Sequence, residues 1–179
     1  MIITISGLHG TGKSTIGKKV AEALGIRYFS TGEVFRDLAN LMNMTLVEFI
    51  KYVEENPETD KKLDDKIIEI TKNGNILTTS LLSGYLLSDI ADFKILLTCP
   101  FETRVKRMTE RDGTTFELKL KETEYREKSE IERFILLYNI NLNDLEKAKK
   151  IFDLIIDTEK LSIEESVSKI LEEIKKINN

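Results

Sequence analysis

The stretch SGLHGTGKST, residues 6–15, places three glycines within six positions directly after the apolar run IITIS, residues 2–6. Glycines adopt backbone angles that other residues avoid, so successive N–H groups of such a loop can turn toward one point. The β-branched run before the loop predicts a buried strand. From Lys13 onward, apolar residues at helical spacing predict an amphipathic helix that stops at Gly25. The start of the chain therefore predicts a strand, a glycine loop and a helix.

The glycine loop fits the pattern G-x-x-x-x-G-K-[ST] of a P-loop. Its amides and the N-terminus of the following helix form a concave site for an anion. We expect Lys13 to reach the β- and γ-phosphates of a nucleotide and to be catalytic, and the Ser14 hydroxyl to be the ligand of Mg²⁺. ATP and Mg²⁺ are therefore the predicted cofactors. The loop residues predicted to bind ATP are Gly7, Leu8, His9, Gly10, Thr11, Gly12, Lys13, Ser14 and Thr15.

The rest of the chain indicates an α/β fold with a parallel sheet. Further short apolar runs predict strands at residues 26–30, 76–80, 93–99 and 152–158. Two helices are predicted after the second strand, with a break near Asn43, and a third follows the turn at Pro57. The region 101–150 is predicted to be helical and charged, and a last helix runs from Ser162 to the end of the sequence. A strand–helix–strand unit at the start is typical of parallel sheets.

Composition bounds the classes of function. The 179 residues suggest a single domain, and the net charge of −4 argues against a dedicated nucleic-acid binder. The single cysteine, Cys99, excludes an internal disulfide and favours a reducing compartment. The apolar run at the start is too short for a signal peptide or a membrane span. We therefore expect a cytoplasmic protein with a small-molecule partner, without nucleic acid or membrane; the sequence carries no signal for an oligomeric state.

A P-loop determines where a nucleotide binds but not which reaction follows. Regulatory GTPases need a base-reading NKxD motif, which this sequence lacks. Motor ATPases and helicases need a longer chain and a strand that ends in an acidic Walker B residue. The third predicted strand instead ends in Thr78, Thr79 and Ser80. Neither class of P-loop protein is therefore favoured.

Over nearly its full length, the chain resembles the archaeal-type cytidylate kinases, a family of P-loop nucleoside monophosphate kinases. The resemblance lies in the order and spacing of MIITISGLHGTGKSTIGKKVAEALGI, STGEVFRDLA, EENPETDKKLDDKI, SDIADFKILLTCPFETRVKRMTERDG, EYREKSEIERFILLYNINLNDL and FDLIIDT. It implies a three-layer α/β/α fold whose five-stranded parallel sheet has the order 2-3-1-4-5. It also implies one kinase domain, residues 1–179, built from a core (1–32, 73–110 and 141–179), a helical acceptor-binding segment (33–72) and a helical lid (111–140).

The resemblance further implies transfer of the ATP γ-phosphate to CMP, and to dCMP, to give the diphosphate. Arginines that arrive with a closing lid would neutralise the charge of the two approaching anions. Arg126 and Arg133 would clamp the transferring phosphoryl group as catalytic residues, and Arg107 and Arg111 would lie beside the base and phosphates of ATP. The residues implied for binding the acceptor are Ser30, Gly32, Arg36 and Gly84. We expect so charged a lid to stay open when no anion lies between its arginines.

The chain departs from the family after the third strand, where relatives carry an acidic and then a basic residue around a serine. Here the stretch is Thr79, Ser80 and Leu81, so the acidic partner of magnesium-bound water and a phosphate-binding side chain are both replaced. Asp64, Asp65 or a water molecule could compensate for the acidic residue. Two alternatives stay open. One is an adenylate kinase-like enzyme, although the DGFPR-like turn and the long β-stranded lid are absent; the other is a non-catalytic ATP-binding sensor.

Overall fold

A computed structural model describes residues 1–56 and 58–177 of the chain. Within this part, five strands form one parallel sheet in the order β2-β3-β1-β4-β5. The strands are β1 (Ile2–Ser6), β2 (Arg27–Ser30), β3 (Ile76–Thr79), β4 (Phe93–Thr98) and β5 (Leu154–Asp157). The five predicted strands are confirmed, and so is the strand order that the resemblance implied.

Helices connect and cover the strands. They are α1 (Lys13–Leu24), α2 (Thr31–Leu41), α3 (Leu46–Glu55), α4 (Glu58–Thr71), α5 (Ser83–Leu86), α6 (Phe101–Asp112), α7 (Phe116–Tyr138), α8 (Leu145–Ile151) and α9 (Ile163–Ile177). The turn predicted at Pro57 and the last two residues of the final predicted helix lie outside the described residues. Within residues 1–56 and 58–177, no helix is both long enough and apolar enough to cross a bilayer.

Two predicted helix ends are confirmed by their backbone geometry. Gly25 follows α1 in the left-handed region, with φ of 64°, and its N–H donates to the carbonyl groups of the last turn. Asn43 has φ of 53° and separates α2 from α3. Helix α3 begins with a capping box, in which Thr45 and Glu48 satisfy each other's backbone N–H groups. These local signals place the helices that flank the glycine loop and the acceptor-binding segment.

The sheet is the middle of three layers. On one face α1 and α9 pack against strand residues such as Ile5, Ile95 and Ile156, all of which are buried. On the other face a second apolar cluster joins α5, α8 and the C-terminal part of α7 to Leu96 of β4. Strands covered on both faces are expected to be continuously apolar, which explains the short apolar runs in the sequence. The implied α/β/α architecture is confirmed.

The helices of the acceptor-binding segment have an apolar cluster of their own. Phe35 from α2 packs edge-on against Phe49 from α3 at 4.7 Å between ring centroids, and Leu63 from α4 joins them. The long helix α7 packs against α6 and reaches across to α3. There the Tyr125 hydroxyl donates a hydrogen bond of 2.8 Å to the Glu54 carboxylate. Helix α7 therefore connects α6 to α3.

Candidate active site

The glycine loop adopts a conformation that requires glycine at defined positions. Gly7 and Gly10 have φ of 148° and 78°, in the region that favours glycine. A β-carbon on Gly7 would collide with the carbonyl oxygen of Leu97, and one on Gly10 would lie 2.7 Å from the carbonyl oxygen of Arg104. The loop therefore lies directly on β4 and α6, which holds its amides in place above the N-terminus of α1.

Lys13 begins α1 and points back over the loop. Its ammonium group donates a hydrogen bond of 2.9 Å to the carbonyl oxygen of Leu8. Burial, and then the positive charge of Arg126, lower the pKa of Lys13 to about 7. The charged form of Lys13 is disfavoured in this partly enclosed site, so a strongly anionic ligand that stabilises the charge should bind well.

A cavity of about 330 Å³ opens beside the loop, between α2, α4, α7 and the ends of β3 and α6. Eleven of the predicted site residues share this cavity. They are His9, Gly10, Gly12, Lys13, Ser14, Thr15, Ser30, Gly32, Arg36, Arg111 and Arg126. The structure thus joins the predicted ATP-binding loop to most of the residues implied for the acceptor.

Three predicted loop residues lie on the other side of the loop. Gly7, Leu8 and Thr11 line a second cavity of about 290 Å³. Thr11 is buried, and its hydroxyl donates a hydrogen bond of 2.8 Å to the Leu8 carbonyl oxygen. In the structure these three residues shape the loop from behind, while their neighbours face the main cavity.

Arg107 and Arg133 are not in the lining of the main cavity. Arg107 donates to the hydroxyl and the carbonyl oxygen of Thr158, at 3.0 and 2.7 Å, and so ties α6 to the turn after β5. Arg133 is buried and donates a hydrogen bond to the Ser129 hydroxyl, one turn earlier in α7. A role for either arginine at the phosphates stays a prediction.

Gly84, implied for acceptor binding, is buried in α5. Its N–H donates a hydrogen bond of 2.9 Å to the Ser6 hydroxyl, and the ring of Phe152 lies against its α-carbon. A β-carbon here would lie 2.8 Å from the ring carbon Cζ of Phe152 and closer still to Cε1. In this position glycine makes room for a close contact between α5 and the end of α8.

We expect Gly84→Ala to lower the free energy of unfolding by about 1–3 kcal/mol, because overpacking forces Phe152 and α5 apart. Urea denaturation measures this change. Gly32→Ala is the matched control, since its β-carbon would come no closer than 3.6 Å to Arg36, and no loss of stability is expected. Unchanged stability of Gly84→Ala together with a raised KM for the acceptor would instead support the acceptor-binding role predicted from the sequence.

Three guanidinium groups meet at the cavity. Arg36 comes from α2, Arg111 from the end of α6 and Arg126 from α7. Burial, and then the positive charges of Arg111 and Arg126, lower the pKa of Arg36. Arg111 is partly compensated by Asp112, whose carboxylate accepts from its Nε at 2.6 Å. The remaining positive potential favours the binding of phosphate groups.

Two buried carboxylates of α7 were not recognised in the sequence. Glu130 accepts from Nε of Arg126 at 3.0 Å and lies 2.5 Å from Nε2 of His9. Burial alone would raise the pKa of Glu130, but His9 and Arg126 outweigh it and lower the pKa to about 2. Burial and then Arg126 lower the pKa of His9 to about 4, so His9 is neutral and donates from Nε2 to the ionised carboxylate.

The second carboxylate, Glu127, pairs with Arg104. Neither residue was recognised in the sequence. The Arg104 guanidinium is buried, pairs with Glu127, and donates to the carbonyl oxygens of His9 and Cys99 at 2.8 and 3.1 Å. The loop is thereby fastened to α6 and α7. Only the spacing of Arg126 and Glu130, four residues apart, offered a signal in the sequence.

The expectation of an open lid fails to allow for these carboxylates. It assumed that closing α7 would gather arginines with no negative charge among them. In the structure, α7 is packed onto α6 and α3, and Glu127 and Glu130 neutralise Arg104 and Arg126. These ion pairs explain how the arginines of α6 and α7 can come together, and the open lid stays a prediction.

The predicted Mg²⁺ ligand Ser14 lies at the cavity, and so does Thr79. The Thr79 hydroxyl is 2.9 Å from the Tyr28 hydroxyl, so it is already in a hydrogen bond. Among the described residues, no cluster of three or more His, Cys, Asp and Glu side chains is placed to hold a metal ion. One hydroxyl with phosphate oxygens and waters nevertheless fits Mg²⁺, which commonly binds through few protein ligands. The residues present are therefore compatible with a metal brought in with the nucleotide.

The lowered pKa of Lys13 gives a pH prediction for ATP affinity. Phosphate groups favour the charged ammonium, so ATP binding should raise the pKa of Lys13 from about 7 and take up a proton. Affinity should then fall as pH increases above about 7, by up to about tenfold per pH unit. Isothermal titration calorimetry at several pH values measures it. Lys13→Arg stays charged throughout and should lose this dependence; an equal slope in both proteins would contradict the assignment.

Comparison with known proteins identifies the family. The model of the cytidylate kinase-like family matches residues 2–160. The chain belongs to this family. Its relatives include the cytidylate kinase of Sulfurisphaera tokodaii, which is 41% identical over 173 residues, covering 96% of this chain and 93% of that protein. The cytidylate kinase of Methanocaldococcus jannaschii is 38% identical over 182 residues, covering 98% and 100%.

Solved structures confirm the fold of this cytidylate kinase-like chain. The shikimate kinase of Acinetobacter baumannii, in complex with shikimate, has a TM-score of 0.61 and covers 98% of this chain and 93% of its own. An uncharacterized protein from Eubacterium ventriosum has a TM-score of 0.64 with 98% of both chains covered. Each is 17% identical, so the likeness concerns the fold alone.

Proposed function

We propose that the chain transfers the γ-phosphate of ATP to CMP, and to dCMP, to give the diphosphate. The observation that carries the proposal is the meeting of a P-loop with four cationic side chains at one cavity. Lys13, Arg36, Arg111 and Arg126 come from four different helices. Membership of the cytidylate kinase-like family and the names of its relatives support CMP as the acceptor.

The ATP phosphates are proposed to lie on the loop amides and the N-terminus of α1. Gly10 and Gly12 open the loop toward the cavity, and Gly12 precedes α1 in the left-handed region. The orphan N–H groups and the helix dipole favour an anion there. Lys13 then supplies the charge for the β- and γ-phosphates. Ser14 would hold Mg²⁺, which neutralises phosphate charge when bound.

The acceptor phosphate is proposed to bind Arg36 beside Ser30 and Gly32, at the start of α2. The Ser30 hydroxyl accepts from the Glu33 N–H at 3.3 Å, which fixes this end of the helix. Arg126 lines the same cavity as Lys13 and Arg36, and its positive charge lowers the pKa of both. We propose that Arg126 stabilises the charge of the transferring group, because a planar guanidinium matches phosphate oxygens.

The acceptor panel that tests this function uses the purified protein with ATP and Mg²⁺. ADP formation is followed by a coupled assay with CMP, dCMP, UMP, AMP or GMP as acceptor. The proposal predicts the highest kcat/KM with CMP. A preference for AMP would favour the adenylate kinase-like alternative. Binding of ATP without turnover of any acceptor would favour the sensor that the change to Thr79 and Leu81 left open.

We also propose that the protein is cytoplasmic and that its small-molecule partner is a nucleoside monophosphate. Both proposals are supported by the single cysteine, Cys99, and by the acidic net charge of −4. Cys99 is half-buried and has no second cysteine with which to pair. Neither feature suits an oxidised extracellular protein or a nucleic-acid binder.

A further inference from the structure

One buried carboxylate of the main cavity has no part in the phosphate chemistry described above. Asp64, on α4, is 8% exposed and contributes to the cavity lining. Its Oδ2 accepts a hydrogen bond of 2.8 Å from the Tyr138 hydroxyl, at the end of α7. This bond orients the carboxylate, which as a group has about four lone-pair sites. Glu130, the other buried carboxylate of this cavity, is paired with Arg126 and His9, whereas a hydrogen bond to Asp64 comes from the Tyr138 hydroxyl.

Apolar side chains line the same cavity as Asp64, and two of them, Leu82 and Phe134, belong to the cluster against which Tyr138 packs. Leu63 is 8% exposed, Phe134 is 6% exposed and Leu82 is 1% exposed, and all three line the same cavity. Flat aromatic rings pack well against such walls, and Phe134 offers a ring for stacking. The cavity thus combines cationic side chains, at the loop and the arginines, with apolar side chains and the carboxylate of Asp64. This combination matches a nucleotide, which carries an anionic phosphate and a flat base.

We propose that Asp64 reads the acceptor base by accepting a hydrogen bond from the exocyclic amine of cytosine. This inference rests on the proposed function, in which CMP is the acceptor. Cytosine presents an N4 amine as a donor at the position where uracil presents a carbonyl oxygen. A carboxylate oxygen accepts from the amine, whereas a carboxylate oxygen and the uracil carbonyl oxygen share no hydrogen and repel each other. Tyr138 is a positioning residue that holds the carboxylate toward the base.

The test compares kcat/KM for CMP with kcat/KM for UMP in the wild type and in Asp64→Asn. The amide of asparagine can donate as well as accept, so the CMP-to-UMP ratio should fall by about 10- to 100-fold. Asp65→Asn is the matched control, because Asp65 is the exposed neighbour on the same helix, and its ratio should equal that of the wild type. Tyr138→Phe removes the hydrogen bond from the Tyr138 hydroxyl and keeps the carboxylate. It should lower the ratio by a smaller factor, which keeps the inference testable if Asp64→Asn folds poorly.

Several outcomes would overturn the inference. One is a wild-type enzyme that uses CMP but shows an unchanged CMP-to-UMP ratio in both Asp64→Asn and Tyr138→Phe. Another is an equal loss for CMP and UMP in Asp64→Asn, together with a raised Mg²⁺ requirement, which would assign Asp64 to magnesium-bound water. Wild-type protein that phosphorylates no CMP at all would instead refute the proposed function on which the inference rests.

Discussion

Lys13→Ala should lower kcat/KM for CMP phosphorylation by at least about a thousandfold, the largest loss that we expect from a single substitution. The ammonium group is the cation predicted to reach the β- and γ-phosphates, and alanine leaves no charge in its place. Burial and the positive charge of Arg126 disfavour the charged form of Lys13, whose pKa is lowered to about 7. A bound phosphate would offset this effect. Steady-state kinetics with CMP and saturating ATP provide the measurement.

The control for Lys13→Ala is a lysine of the same helix that lies outside the cavity. Lys19 is half-exposed, and its ammonium is 3.8 Å from the Glu164 carboxylate. Lys19→Ala should leave kcat/KM within about twofold, since exposed ion pairs contribute little. If Lys13→Ala retained most of the wild-type activity while folding normally, the loop would not be the phosphoryl-transfer site.

Arg126→Met should lower kcat by about 100-fold while changing the ATP dissociation constant only a few-fold. The reason is that the charge on the transferring group is greatest in the transition state, so its partner affects turnover more than ground-state binding. Methionine keeps much of the length of the buried side chain and its contact with Phe35, whose ring centroid is 5.5 Å from the guanidinium carbon. Turnover and equilibrium binding are measured separately.

Arg133→Met is the matched comparison for Arg126→Met, since both arginines are buried on α7. Only Arg126 lines the cavity, so Arg133→Met should reduce the stability of the lid helix more than it reduces kcat. Equal losses of kcat in the two variants would return Arg133 to the catalytic role predicted for it. An unchanged kcat in Arg126→Met would remove Arg126 from the mechanism.

Much of the fold could be predicted because its signals are local. The glycine loop, the β-branched runs and the stop at Gly25 are all visible within short windows of sequence. The helix α5 has four residues, too few for any periodicity, and it was not predicted. The sheet order came from family resemblance, because strand pairing depends on contacts between distant segments.

The candidate site was less predictable, because its charges are balanced by distant partners. His9 and Glu130 are 121 residues apart, and no pattern in one sequence joins them. The same limit concealed the packing of Phe152 against Gly84. Arg126 and Arg133 are both buried on α7, but seven residues separate them by about 10 Å along the helix axis. That distance explains why one of them reaches the cavity and the other does not.

The most direct test of the account follows a labelled γ-phosphate through a single turnover. Purified protein is mixed with a limiting amount of γ-labelled ATP, Mg²⁺ and excess CMP, and the products are separated. The account predicts that the label appears in CDP and that Lys13→Ala prevents this transfer. Label that stays in ATP, or that appears as inorganic phosphate whether or not CMP is present, would contradict a phosphotransferase built on this loop.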